Sequence, residues 1–408
     1  MNNNKVTVID SIMGSGKTIW AIDEMTKTQD NFLYITPYLE EINRIRGLDE
    51  KDNPIPNAKK VEGKDIKTPE NHGGGKIGNL LDLLQCQEDI ASTHELFKRL
   101  TPECKRAIKD GNYILFLDET IDAIQEYTAP HKDDLKLLQD RDIIQVDTDG
   151  YVRWIYNTDD DTSYNEIRTL AENKSLIQVN SKMMIWQYPC EVFKLFKKVY
   201  IMAYLFDGST LKSYFDINNI AYEKKTLDKG VLHPYYSQSR KRYIELINLY
   251  EGELNDIKTR KPQTALSANW FKNKSKEKEV IQLKNNIYNY FRHKTNAKSQ
   301  DVMWTTYKQF KRKLQGKGYT KGFVSCNSRA TNKYQDRNCL AYVVNYYQKP
   351  AITQYFEKNN VDFDQDLYAL SSMLQWIWRS SIRLDKPISL YIPSYRMRNL
   401  FKNWLYEK

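Results

Sequence analysis

Lys17 and Thr18 end the stretch Ser11-Ile12-Met13-Gly14-Ser15-Gly16-Lys17-Thr18, which follows the apolar run Val6 to Asp10 and opens a helical stretch. Gly14 and Gly16 let the backbone turn tightly and aim N–H groups inward, and the helix that follows adds its partial positive end. Such a loop cradles phosphates. Gly14, Ser15 and Gly16 would do so through the backbone, Lys17 would reach the β- and γ-phosphates, and the Thr18 hydroxyl would ligate Mg2+. The general pattern has Gly where this chain has Ser11. A glycine turn that binds nothing is the alternative, and the strand before and helix after weigh against it.

Asp118-Glu119 ends the fully apolar run Tyr113-Ile114-Leu115-Phe116-Leu117, the pattern of a central buried strand. A carboxylate at the carboxyl end of a parallel strand lies at the crevice where such sheets bind ligands. There Asp118 would hold Mg2+ through water, and Glu119 would orient and deprotonate the water that attacks the γ-phosphate. Two exposed acids opening a helix are the plainer reading, and Lys17 upstream tips the choice toward a catalytic pair. Far along the chain, Gln375-Trp376-Ile377-Trp378-Arg379-Ser380-Ser381-Ile382-Arg383 reads as helical. Spaced i, i+4, Arg379 and Arg383 would point the same way and could stabilise charge on a transferring phosphoryl group. Taken alone, this element reads better as a surface helix with two solvated arginines and Trp376 or Trp378 in a core.

The elements that would position these groups alternate strand and helix, the order of a parallel α/β sheet. Strands are expected at Val6–Asp10, Phe32–Thr36, Asp89–Thr93, Ile114–Leu117 and Val199–Met202, with a helix at about 95–100. Residues 49–79, with Gly73-Gly74-Gly75, read as a loop. Between about 121 and 182 the alternation breaks. There Ile143–Val146 and Tyr151–Ile155 flank Asp149-Gly150 as a hairpin, and the segment reads as an insertion. In the second half, helices are expected at about 240–256 and 276–293. Val280, Leu283, Ile287 and Phe291 share a face of the latter. Strands are expected at 302–304, 323–325 and 388–392.

The three chemical elements, in this order, resemble a superfamily 2 helicase of the DExD/H-box type. In that family the phosphate loop often opens with Ala or Ser, which accounts for Ser11. Thr36-Pro37-Tyr38-Leu39 and Ser92-Thr93-His94 resemble its strand-contacting motifs. Met202-Ala203-Tyr204 sits where its Ser-Ala-Thr linker falls, and Cys326 to Asn332 where its fifth motif falls. The tail, with Arg329-Ala330-Thr331-Asn332 and Tyr391 to Arg398, looks closest to uncharacterised phage-type helicases. Thr120-Ile121 departs from the usual DExD/H ending, Trp378 replaces a Gly, and Arg383 falls one residue late. The resemblance implies an α/β fold of two tandem RecA-like P-loop domains with parallel central sheets. These are residues 1–220, with the small insertion at about 121–182, and 221–408. It implies an ATP-dependent helicase that hydrolyses ATP with Mg2+ in the cleft between the domains and so moves along and unwinds nucleic acid, with Arg379 or Arg383 as the finger and Gln375 beside it. The strand contacts it implies are Tyr38, Thr93, His94, Arg329 and Thr331, for which a buried structural role rivals contact at His94.

A net charge of +10, from 62 Lys+Arg against 52 Asp+Glu, suits a polyanionic partner. Single-stranded DNA is favoured over RNA, with replication or recombination proteins as further partners. Arg240-Lys241-Arg242 is an extra basic candidate, and Lys272 to Lys284 reads as a solvated helix face. The 29 Tyr, 14 Phe and 8 Trp offer stacking capacity, although most are expected in cores. Five scattered cysteines without Cys-x-x-Cys argue against a zinc knuckle or a disulfide framework. No apolar run approaches a membrane span, and no signal region opens the chain. A cytoplasmic location is expected, in the host cytosol if the chain is phage-encoded. A duplex translocase that separates no strands and a P-loop small-molecule kinase are the competing readings.

Overall fold

The computed structural model describes residues 6–49, 51–128, 134–156, 163–180, 183–326 and 333–406. By its contacts the chain divides into two compact units. The first comprises Met1–Asp10, Lys17–Lys225 and Gln348–Asp364; the second comprises Ser11–Gly16, Thr226–Tyr347 and Gln365–Lys408. The expected cut at 220/221 is therefore crossed again. The helix Pro350–Lys358 buries Ala351, Ile352, Tyr355 and Phe356 in the first unit's core, and the Tyr355 hydroxyl lies 3.0 Å from Gln187 Oε1.

The main sheet of the first unit contains β1 (Val6–Asp10), β2 (Phe32–Thr36), β3 (Ile90–Thr93), β4 (Ile114–Asp118), β5 (Lys198–Ala203) and β6 (Tyr222–Asp228). Their order is β6-β1-β5-β4-β2-β3, and every neighbouring pair is parallel. All residues of β1 and β2 are buried, as expected of strands covered on both faces. From β1 the chain passes through α1 (Lys17–Lys27), which buries Ala21, Ile22 and Met25, to β2 beyond β4. From β5 it passes through the helix Thr210–Ile217 to β6 on the other side of β1. The connections thus leave the neighbouring strands β1 and β5 in opposite directions along the sheet, and open α/β sheets place their ligands at the carboxyl ends of their strands.

Between β4 and β5 the fold changes character. Ile124–Tyr127, Leu176–Asn180 and Met183–Gln187 form an antiparallel sheet. Ile144–Val146 and Val152–Trp154 form the expected hairpin, turning at Gly150, whose φ of 87° favours glycine. A small core of Leu138, Ile144, Val152, Ile167 and Leu176 supports this region. Asp159 to Asp161 lie outside the described residues.

The second unit has a four-stranded parallel sheet of β7 (Ile247–Leu249), β8 (Val302–Thr305), β9 (Cys339–Tyr342) and β10 (Ile388–Tyr391), ordered β7-β10-β9-β8. Three expectations are corrected here. The helix expected over 240–256 ends at Leu246, because Ile247 to Leu249 pair with β10 instead. Residues 323–325 make only an isolated bridge, Phe323 to Trp304. The interior strand β9 had not been anticipated, although Leu340, Ala341 and Tyr342 are fully buried. The helix Glu277–Asn289 does bury Val280, Leu283 and Ile287, with Phe291 just beyond it. No helix among the described residues is long and apolar enough to cross a membrane.

Candidate nucleotide site

Gly14 and Gly16 have φ of 81° and 88°, and a Cβ at either would meet nothing within 4 Å. Backbone conformation, rather than crowding, therefore demands glycine at both positions. The Ser15 N–H donates to the Ile12 carbonyl at 3.2 Å, closing the turn. Lys17 and Thr18 then begin α1, half-buried. Burial lowers the Lys17 pKa to about 8, against the pull of the Asp10, Asp118 and Glu119 carboxylates. A lysine shifted in this way, with carboxylates of strand ends acting on it, makes this loop the candidate site.

The first loop residues are braced from behind. Ser11 is buried, and its hydroxyl accepts from the Leu227 N–H at 2.7 Å. This gives the serine in the glycine position a structural purpose. Gln238 Oε1 accepts from the Ile12 N–H at 2.8 Å, while its Nε2 donates to the Leu227 carbonyl at 3.0 Å. At the end of β1, the buried Asp10 accepts from the Leu205 and Phe206 N–H groups at 2.8 and 3.0 Å. Burial raises its pKa despite those bonds and the lysines Lys17 and Lys224.

Asp118 closes β4, two strand positions from β1, a separation of roughly 10 Å at about 4.8 Å per strand. Its Oδ2 accepts from the Tyr34 hydroxyl at 2.7 Å. Burial, then the Glu41 carboxylate, pushes its pKa up to about 7, while the Tyr34 bond works against them. Tyr34 itself is pushed well above the ordinary phenol value by burial and by Asp118, so it stays a donor. Glu119 has a φ of 65°, an uncommon conformation for a non-glycine residue that concentrates at active sites. Leu205, after β5, shares it at 56°. Behind the pair, the buried His94 sets Nε2 3.1 Å from the Asp118 carbonyl. A carbonyl only accepts, so Nε2 carries the proton. His94 therefore braces the acid strand from inside the fold, where the resemblance had implied a contact with a nucleic-acid strand.

Ser15 Oγ and Thr36 Oγ1 are buried with no hydrogen-bond partner among the described residues. Ser15 lies in the loop and Thr36 ends β2. A spare hydroxyl in the glycine turn, at Ser15, fits an anionic oxygen ligand. Mg2+ takes one or two protein oxygens besides phosphates and water, and Thr18 and Asp118 would supply those.

The other expected residues scatter. Thr93 caps the short helix His94–Phe97, accepting from the Leu96 N–H at 3.4 Å. Tyr38 precedes α2 (Leu39–Arg46) and makes no side-chain cap. Met202 and Ala203 end β5, buried. Arg329 and Thr331 lie outside the described residues. The arginine element is not one helix. α3 (Gln365–Ile377) carries the half-buried Gln375 and stops two residues before Arg379, while Arg383 sits in the short 3-10 turn Ser381–Leu384. The i, i+4 face shared by Arg379 and Arg383 is therefore absent. Arg379 is buried. Trp376 donates to the Val324 carbonyl at 3.1 Å, and Trp378 packs edge-on to Tyr243. Of the extra basic residues, Arg240 donates to the Trp404 carbonyl, and Arg242, more than half exposed, pairs with Asp385.

Sequence reasoning missed Asp10, Tyr34, Glu41 and Gln238. Asp10 had a signal, being the last residue before the loop. The others act across the fold from positions 34, 41 and 238, with nothing local to mark them.

Comparison with known proteins gives a family without an activity. Residues 241–405 match the model described as the YonV C-terminal Rossmann-like domain, and residues 125–186 match that of the YonV middle domain. Along its length the chain is similar to the SPbeta prophage-derived uncharacterized protein YonV of Bacillus subtilis (strain 168). The two are 39% identical over 419 residues, covering 98% of each chain.

Proposed function

We propose that this chain, which belongs to the YonV family, is an ATP-dependent nucleic-acid motor of the superfamily 2 helicase type. The observation that carries the reading is Lys17 at the start of α1 in electrostatic reach of Asp118 and Glu119, which stand at the carboxyl end of another strand of the same parallel sheet. In this reading Gly14 to Gly16 cradle the phosphates, Lys17 neutralises the β- and γ-oxygens, and Thr18 and Asp118 hold Mg2+. Held by Thr18 and Asp118, the metal would supply positive charge to offset that of the phosphates. Glu119 orients the attacking water and takes its proton, and Arg379 or Arg383 is assigned the transition-state charge. Two tandem RecA-like domains are the finer architecture that goes with it, and the Rossmann-like C-terminal domain supports that half. The prophage origin of the relative fits a phage-encoded protein.

The test is ATPase activity against single- and double-stranded DNA and RNA, followed by strand displacement. Single-stranded nucleic acid is expected to stimulate turnover, and Lys17→Ala to reduce it to background while strand binding persists. Equal turnover in Lys17→Ala and wild type would remove the loop from the chemistry. A rate that stays flat across every nucleic acid would leave an ATPase but no motor. Turnover driven by duplex without strand displacement would favour the translocase.

A further inference from the structure

β6 runs on where β1 has ended. Their parallel register stops at Ile9 opposite Lys225, yet β6 continues to Asp228. The peptide groups of Leu227 therefore have no strand partner in the direction that β1 would have continued, and a buried peptide must find partners elsewhere. It finds them in the phosphate loop: the Leu227 N–H donates to Ser11 Oγ at 2.7 Å, and its carbonyl accepts from Gln238 Nε2 at 3.0 Å. Gln238 closes the bracket by accepting from the Ile12 N–H at 2.8 Å. Three bonds thus tie the first two loop residues to one residue of β6, Leu227, and one side chain supplies two of the three. The amide suits this role as few groups do, because it must accept at one end and donate at the other at once.

Gln238 is half-buried, whereas Tyr235, Tyr236, Ser237 and Ser239 around it are exposed. The connector runs from the hairpin of β6 with Val231–Pro234 into the helix Lys241–Leu246. Tyr236 ties it back to β6 through Thr226 Oγ1, at 2.9 Å from both its N–H and its carbonyl, and Gln238 is the point at which it is tied to the phosphate loop. The C-terminal family match begins at residue 241. We infer that Gln238 is the positioning residue that holds the phosphate loop in its nucleotide-binding conformation and couples nucleotide binding to the order of the 229–240 connector. The inference rests on the nucleotide-site reading above. The physical ground is linkage. If the bracket forms with the loop in its phosphate-binding shape, it raises affinity for phosphate ligands, and a bound ligand stabilises the connector by the same factor. Gln238 touches no phosphate in this scheme. It acts through the Ile12 amide, well before Lys17, so it sets affinity and leaves the chemical step alone.

The test is calorimetric titration of MgADP into the full chain and its Gln238→Met variant, which keeps side-chain length and approximate volume but removes both bonds. The expected result is about tenfold weaker binding, the scale of two modest hydrogen bonds, alongside a modestly lower melting midpoint. Hydrogen exchange gives a readout that a merely structural role would not move. MgADP should slow exchange at residues 229–240 in wild type and not in the variant. Binding within twofold of wild type, or equal protection in both, overturns the inference. Should Gln238→Met fail to fold, Gln238→Leu removes the same two bonds and should weaken MgADP by about the same tenfold; no loss there overturns it too. A wild type that binds no MgADP sinks the nucleotide site itself, whereas binding with an unaffected variant sinks only the role of Gln238.

Discussion

The region around Lys17 and the region around Arg379 were read from motifs of similar length, and the fold treats them in opposite ways. At the first, backbone and charge are held away from their comfortable states. Gly14, Gly16 and Glu119 take positive φ. Lys17 is lowered to about 8 and Asp118 raised to about 7. At the second, the tryptophans are packed: Trp376 is fully buried with its N–H bonded, and Trp378 lies among Tyr243 and Trp404, with positive φ confined to Asp385, the cap of a turn. Strain and perturbed ionisation persist only where the surroundings over-determine them, and they concentrate where chemistry is done. Packed tryptophans say that a core is there.

Substitutions at the two regions should therefore fail in different ways. Glu119→Gln is expected to lower ATP turnover by about 10³-fold, within the range for a general base, while MgATP binding and the melting midpoint stay near wild type. A loss of binding in step with turnover would place Glu119 in the ligand cradle instead. Trp376→Ala is expected to cost about 3–5 kcal/mol of stability, read from the denaturant midpoint, with turnover per folded molecule unchanged. A stable variant with lost turnover would reverse the contrast and make the tryptophan functional.

The smallest effect concerns pH. A protonated Asp118 offers Mg2+ no charge, so Mg2+-dependent nucleotide binding should rise with pH through about 7. The linkage to stability has the opposite sign. The folded pKa of Asp118 lies above the unfolded one, so its contribution is largest in acid and is lost as pH rises from about 4 toward 7. Tyr34→Phe removes the hydrogen bond that favours the carboxylate. It should move the binding midpoint up by about one pH unit, the worth of one charge-assisted bond. A midpoint that stays in place would mean that another group sets the profile.

The sheet of the first unit could be read along the chain because its strands are near-continuous apolar runs, each bounded by a loop signal: Val6 to Asp10 before the glycines, Phe32 to Thr36 before Pro37, Ile114 to Leu117 before Asp118. The second unit was harder. Ile247 to Leu249 continues a helical pattern at its amino side and becomes strand only through pairing with β10. The short run Cys339 to Tyr342 carries no periodicity of its own. The arginine element misled because Gln375 to Arg383 has helical spacing throughout, yet the chain leaves the helix after Ile377.

What local sequence settled was the identity of the reactive groups. Glycine spacing, a lysine at a helix start and acids after a buried strand are constraints on neighbours, and neighbours are fixed by covalent connection. What tertiary structure alone decided was what stands behind those groups. Asp10 meets Leu205 and Phe206, Tyr34 meets Asp118, and Gln238 meets Ile12 and Leu227. A hydrogen bond acts over about 3 Å of space whatever the distance along the chain. The partners that set charge and backbone shape at the loop are therefore chosen by the order of strands in the sheet, which no stretch of sequence carries by itself.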